Sequence, residues 1–244
     1  MSRFFAPKEN VKGDRIFIDG PEAKHILNVM RLAVNDRVVI FDGTGREYAG
    51  FIESAKPKSL VVKVVTVKKP APEALPSVTL IQAIPKKDKM DYILEKSTEL
   101  GVSEIWPVMT KRTVVAVRDE KTEARTRRWQ AIAREASKQC GRKDVPPVRP
   151  VSDYGEVVKS LDGYDICLMA CLSGETIGIK QAIAGFRHGR AAVMIGPEGD
   201  FTEEEIDAVR EIRNCKLISL GERVLKSDTA GLYVLSCFNY EFIA

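Results

Sequence analysis

No stretch of the sequence approaches the roughly eighteen consecutive apolar residues that a membrane span requires, and no internal repeat or low-complexity tract interrupts it. The first ten residues, MSRFFAPKEN, lack the apolar core and small-residue cleavage site of a secretory signal. The expected compartment is therefore the cytosol. Histidine is scarce, with two in 244 residues, and the five cysteines (Cys140, Cys167, Cys171, Cys215, Cys237) include no CxxC pair. A metal centre thus lacks its ligand spacing, and reduced, mostly buried thiols are expected instead. A Gly-Lys-Ser/Thr ending, which completes a phosphate-binding loop, is also missing. The net charge of +4 is too small to identify a nucleic-acid binder, so the useful question is where the basic residues cluster.

What is present divides the chain in two. Residues 1–70 carry short strand patterns at 15–18, 38–41, 48–53 and 60–67, with a hairpin-type turn at 42–45. This is the pattern of a small β-barrel. A helix is expected over 21–31, where Pro21 suits the first turn and Ile26, Val29 and Met30 recur at helical spacing. A proline-rich linker at 71–77 follows. From 78 to 244 strand and helix patterns alternate, which predicts a largely parallel sheet covered on both faces. Its first helix places Met90, Ile93, Leu94, Ser97 and Leu100 on one face, with Asp88 as its cap and Gly101 at its end. The last helix, about 229–242, is apolar around most of its circumference, and either a deeper core or a second subunit covers it.

Two strand ends carry the candidate chemistry. At 193–201 a buried strand enters the loop Ile195-Gly196-Pro197-Glu198-Gly199-Asp200-Phe201, and Thr202 with Glu205 matches a capping box opening the next helix. Taken alone this is also what a plain strand-turn-helix joint looks like. A helix start of this kind attracts anions, but Glu198, Asp200, Glu203, Glu204 and Glu205 crowd it and favour a neutral or cationic ligand. At 217–231 a second strand end repeats the theme. There Leu220, Val224 and Leu225 supply apolar walls beside polar Arg223, Lys226, Asp228 and Thr229, and Ser227 or Asp228 suits the cap of the terminal helix.

These two segments, in this order, resemble the SPOUT class of methyltransferases, and more closely the RsmE-type family that makes N3-methyluridine in small-subunit (16S) ribosomal RNA. The stretches HILNVMRL at 25–32, EKSTELGV at 95–102 and QCGR at 139–142 followed by Pro146 are similar to the family as well, so the resemblance covers most of the chain. It implies an N-terminal PUA-like β-barrel that binds RNA and a C-terminal trefoil-knotted α/β domain that binds S-adenosylmethionine. It also implies a homodimer. The cofactor contacts it implies fall on the strand end Ala170, Cys171, Leu172 and Ser173, on Ile195, Gly196, Pro197, Glu198 and Gly199, and on Leu220, Gly221, Val224, Leu225 and Thr229. Two departures stand out: Asp200 replaces a commoner third glycine, and Lys226-Ser227-Asp228 replaces a commoner Arg-Thr-Glu. Lysine is a poorer planar clamp than arginine but still a cationic anchor.

For RNA, the helix pattern over 120–140 buries Trp129, Ile132, Ala133 and Ala136, while Arg125, Arg127, Arg128, Arg134 and Lys138 lie elsewhere around it. This is a phosphate-neutralising surface or simply a solvated face. Arg3, Lys24, Arg31, Arg46 and Arg142 extend the basic set. His25, among apolar neighbours, is a packing residue. Methylation at uridine N3 removes a ring proton that is paired in duplex RNA, so the base must be presented unpaired. Asp228 or Glu198 is expected to accept that proton, with Arg142 and Lys226 steadying phosphates or the developing charge on the uracil oxygens. The expected partner is ribosomal RNA or the small ribosomal subunit. Two rival readings remain: a SPOUT ribose 2′-O-methyltransferase, whose Asn-Val-Ser element is replaced here by Lys226-Ser227-Asp228-Thr229-Ala230, and a non-catalytic RNA-binding assembly factor.

Overall fold

The computed structural model describes residues 2–70, 76–86, 89–114 and 119–242. Most of the linker and the Asp88 cap expected from sequence lie outside the described residues. The chain forms two compact units, Met1–Pro72 with Ser137–Val145, and Glu73–Ala136 with Pro146–Ala244. The grouping of Ser137–Val145 with the first unit differs from the simple sequential division, because sequence order carries no sign of that packing.

The first unit contains β1 (Ser2–Phe5), β2 (Val11–Lys12), β3 (Arg15–Asp19), α1 (Gly20–Lys24), β4 (Arg37–Phe41), β5 (Glu47–Lys56) and β6 (Ser59–Lys68). The strands form one sheet in the order β1-β4-β5-β6-β3-β2. Alternate residues point inward, as a half-buried strand requires: Ile16 and Ile18 of β3, Tyr48 and Ile52 of β5, and Leu60 and Val62 of β6 join Phe4, Ile26 and Ile40 in a single core. Helix α1 continues into a π-helical turn over His25–Val29. Val29 and Met30, expected on the apolar face, are therefore exposed: the Met30 N–H bonds the His25 carbonyl five residues back, and the wider turn rotates them to solvent. His25 packs edge-on against Phe4.

The second unit contains β7 (Ser77–Ala83), α2 (Lys89–Glu99), β8 (Glu104–Met109), α3 (Asp119–Cys140, whose last turn belongs to the first unit), β9 (Ser152–Asp153), α4 (Tyr154–Lys159), β10 (Ile166–Ala170), β11 (Ile177–Gly178), α5 (Ile179–Ile183), β12 (Arg190–Ile195), α6 (Glu203–Arg210), β13 (Cys215–Ser219) and α7 (Ser227–Phe242). The seven strands are all parallel, in the order β11-β13-β10-β12-β7-β8-β9. Their near-continuous apolar runs, such as Ala191 to Ile195, are buried on both faces, as parallel sheets demand. Helix α2 buries Met90, Ile93, Leu94, Ser97 and also Thr98, whose hydroxyl returns to the Leu94 carbonyl, whereas Leu100 lies past the helix end and is half-buried. Only Cys167 and Cys171 are buried among the cysteines; Cys140 is exposed and the other two lie between. Among the described residues, no helix is long and apolar enough to cross a membrane.

Candidate active site

Register brings three strand ends together. Ala170 of β10 sits opposite Ile195 of β12 on one side and Ile218 of β13 on the other. The loops leaving these strands therefore enclose one cavity of about 410 Å³ at the carboxyl edge of the sheet, where open α/β folds place their ligands. Of the residues implied by sequence, Ala170, Leu172, Ile195, Gly196, Pro197, Glu198, Leu220, Gly221, Val224, Leu225 and Lys226 line it. Ser173, Gly199 and Thr229 lie outside its lining, and Asp228 stands one residue beyond Ser227, which lines it. Cys171, within the implied strand end, lines it too, and Thr176, Asp200, Ser219, Glu222, Arg223 and Ala230 also line the cavity although not implied as cofactor contacts. A second recess, at the opposite edge, is lined by Asp165, Asn214 and Lys216, of which Asp165 accepts from the Arg190 N–H, Asn214 bonds the Tyr164 carbonyl and Lys216 bonds the Ala182 carbonyl.

The acidic crowd on the loop has specific partners. Thr202 caps α6 and Glu205 reaches back to the Thr202 N–H at 2.9 Å, closing the capping box; the buried Glu205 carboxylate also takes the Lys111 N–H at 2.8 Å. Asp200 has φ +62°, a left-handed conformation that costs most side chains but suits glycine and, less well, aspartate. Its carboxylate accepts the Leu172 N–H at 2.8 Å and so ties the β10 loop to the β12 loop. This explains both why glycine suits the position and what aspartate adds there. Gly196 is crowded by its own loop, since a Cβ would sit 3.2 Å from Asp200 Oδ1 and from the Phe201 ring. Gly199 faces Arg112, whose guanidinium bonds the Gly199 and Phe201 carbonyls. Gly221, at φ +114°, needs glycine for its backbone conformation. The chain's own carboxylates thus occupy the Leu172, Thr202 and Lys111 amides.

Ser227 does not cap α7 as expected. Its Oγ donates to the Gly196 carbonyl at 2.6 Å and accepts from the buried Gln82 Nε2 at 3.0 Å, joining β7, the loop after β12 and the start of α7. Nearby, Lys89 of α2 pairs with both candidate bases, 3.2 Å from Asp228 Oδ1 and 3.4 Å from Glu198 Oε1. Its hydrogen bond to Asp228, and then burial working against it, leave the ammonium held above the ordinary lysine range. Burial pushes Glu198 up, but hydrogen bonds from its own and the Lys86 backbone N–H, and from Lys89, outweigh this and hold it below the usual carboxylate value. Lys89, Gln82 and Arg112 were missed in sequence because each acts on a segment 87 to 145 residues away.

The basic candidates divide between the units. In the first unit the Arg3 guanidinium bonds the Gly141 carbonyl and the Arg142 carbonyl, and pairs with Glu47 at 3.1 Å. Arg142 pairs with Asp144 and Lys138 with Glu22, while Lys24, Arg31 and Arg46 are exposed. In the second unit Arg127 pairs with Glu123, Arg128 with Asp91, and half-buried Arg134 with Glu135; Lys226 is exposed. Much of the α3 stripe is therefore matched by carboxylates.

Residues 72–239 match the family model of an RNA methyltransferase domain, and residues 18–65 that of an RNA methyltransferase PUA domain. The chain is 30% identical to the ribosomal RNA small subunit methyltransferase E of Bacillus subtilis, covering 99% of this chain and 97% of that one. Its structure is similar to that of ribosomal RNA small subunit methyltransferase E from Neisseria gonorrhoeae bound to S-adenosylmethionine, with 29% identity, a TM-score of 0.83 and coverage of 99% and 98%. It is also similar to a methyltransferase from Legionella pneumophila in complex with the same cofactor, with 28% identity, a TM-score of 0.86 and coverage of 98% and 97%. With a PUA unit ahead of a parallel-sheet RNA methyltransferase domain, matched nearly end to end, the chain belongs to the small-subunit ribosomal RNA methyltransferase E family.

Proposed function

We propose that the protein transfers the methyl group of S-adenosylmethionine to N3 of a uridine in small-subunit ribosomal RNA. The observation that carries this is the cavity shared by the loops after β10, β12 and β13, whose lining residue Glu198 shares the Lys89 ammonium with Asp228. The residues present fit a cationic, adenosine-bearing group: Ile195 to Glu198 and Ser219 to Leu225 line the cavity, and the carboxylates of Glu198, Asp200 and Glu222 stand in that lining. The cofactor, when bound, supplies an electrophilic methyl group. Apolar Leu220, Val224 and Leu225 exclude water from it, and orientation of the two reactants supplies most of the acceleration.

Asp228 is the better base of the two carboxylates. Glu198 already accepts the Lys86 N–H at 3.1 Å and the Lys89 ammonium, which weakens it as a proton acceptor. Among the described residues, Asp228 accepts through Oδ1 alone. An imide N–H is far more acidic than a ribose hydroxyl, so a carboxylate suffices for N3 and would not for the 2′-oxygen. Lys226, which lines the cavity, serves the developing carbonyl charge, and with Lys24, Arg31, Arg134 and Arg142 it serves the RNA phosphates. A trefoil passage of the chain, a cytoplasmic location and a homodimer over α7 belong to the same proposal; Tyr233 and Tyr240 project from that helix, 42% and 90% exposed.

The test is incubation with labelled cofactor and undermethylated small subunits or their RNA, followed by nuclease digestion and mass analysis of nucleosides. N3-methyluridine is expected. A ribose-methylated product would replace this chemistry with the 2′-O alternative, and absence of cofactor binding at millimolar concentration would leave an RNA-binding assembly factor.

A further inference from the structure

Two carboxylates, Glu198 in the cavity lining and Asp228 one residue beyond it, converge on a single ammonium, that of Lys89. Lys89 is the first described residue of α2, an end where the helix dipole disfavours a cation. A stabilising surface pair would sit more favourably at the other end. Here Nζ reaches across to the loop after β12 through Glu198 and to α7 through Asp228, the two carboxylates that face it, while 31% of the side chain remains exposed.

We propose that Lys89 is a positioning residue for methyl transfer: it fixes Asp228 by Oδ1, leaving the second oxygen to take the uridine N3 proton, and cancels the repulsion between Asp228 and Glu198. This rests on Asp228 being the base. In that step the N3–H bond breaks as its proton passes to Asp228, the N3–C bond forms with the cofactor methyl, and the S–C bond pair returns to sulfur, leaving a neutral thioether. Without the ammonium, two like charges share one edge of the cavity and Asp228 loses the contact that orients it. The elevated proton affinity of Lys89, due first to its bond with Asp228, keeps it charged across the working range.

The experiment uses the full chain with S-adenosylmethionine and its RNA substrate, and compares Lys89→Met, Lys89→Arg, Asp228→Asn and the Lys89→Met/Asp228→Asn double variant. Single-turnover rates at saturating cofactor and RNA and calorimetric cofactor affinity are recorded for each, and the titration of the Lys89 ammonium by NMR for the parent chain and Asp228→Asn. Lys89→Met is expected to slow transfer about 100-fold with cofactor affinity changed less than about threefold, and Lys89→Arg to recover most of the rate. Adding Lys89→Met to Asp228→Asn is expected to cost little more, because both remove one unit. Asp228→Asn is also expected to lower the pH at which Lys89 titrates. The proposal is overturned if that titration does not move, if the two rate losses multiply, or if Lys89→Met weakens cofactor binding at unchanged saturated rate. The titration stands apart from catalysis: a wild-type chain that keeps it but yields no N3-methyluridine sinks the functional reading, not the pairing.

Discussion

Ser227 Oγ lies 2.6 Å from the Gly196 carbonyl and 3.0 Å from Gln82 Nε2, so one buried hydroxyl joins a central strand, the loop after β12 and the first turn of α7. Ser227→Ala leaves a buried carbonyl and a buried amide each short of a partner, which costs about 1–3 kcal/mol. Because the lost bonds frame the cavity, S-adenosylmethionine affinity is expected to fall along with urea stability. A variant that loses stability but binds cofactor normally would show that the hydroxyl serves only the fold.

Much of this framework is legible in sequence, and its limits have a physical pattern. Local signals held: the Thr202 and Glu205 box, the buried runs of the parallel sheet and the period-two strands of the first unit each depend on residues within a few positions. Convergence of the loops after β10, β12 and β13 follows from strand order, which periodicity does not carry; the family resemblance implied that residues at these strand ends contact one cofactor. What stayed hidden acts across the chain. Nothing near Lys89 announces Asp228, nothing near Arg3 announces Gly141, and the π-helical turn that exposes Val29 and Met30 leaves no mark in their spacing.

Asp200 combines a strained backbone with a useful side chain. Asp200→Gly relieves the left-handed conformation but frees the Leu172 N–H, so the two effects oppose and stability is expected to change by less than about 1 kcal/mol. Asp200→Ala has the strain without the bond and is expected to be the less stable by about 1 kcal/mol. Denaturant curves of the two variants decide this; equal stabilities would mean the backbone conformation costs nothing here.

Glu198 has a folded-state pKa below its ordinary value of 4.5. Its deprotonated form is therefore favoured by folding. That contribution is fully present above 4.5 and disappears as pH falls through the lower folded value. Glu198→Gln is expected to be less stable than the parent at neutral pH, with the gap narrowing on acidification below 4.5. Urea midpoints taken at successive pH values measure it, and a pH-independent gap would mean that lost packing, not charge, explains the difference.

Exposed Lys226 and tied-down Arg3 were both expected to bind RNA, yet their surroundings predict different behaviour. A lysine that neutralises one phosphate of a single strand contributes about 0.7 to the slope of log affinity against log salt. Lys226→Ala is expected to lose that increment while stability stays constant, and Lys226→Arg to restore it. Arg3 instead spends its donors on the Gly141 and Arg142 carbonyls and on Glu47, at a side-chain exposure of 21%. Arg3→Ala takes a donor from the part-buried Arg142 carbonyl, while the Gly141 carbonyl is exposed and Glu47 keeps Lys143, so its expected effect is a loss of about 1 kcal/mol in the first unit with the salt slope retained. Fluorescence anisotropy with an RNA fragment across a salt series, set beside melting curves, separates the two. A slope that drops for Arg3→Ala at unchanged stability would move Arg3 from the frame of the first unit to its RNA-facing surface.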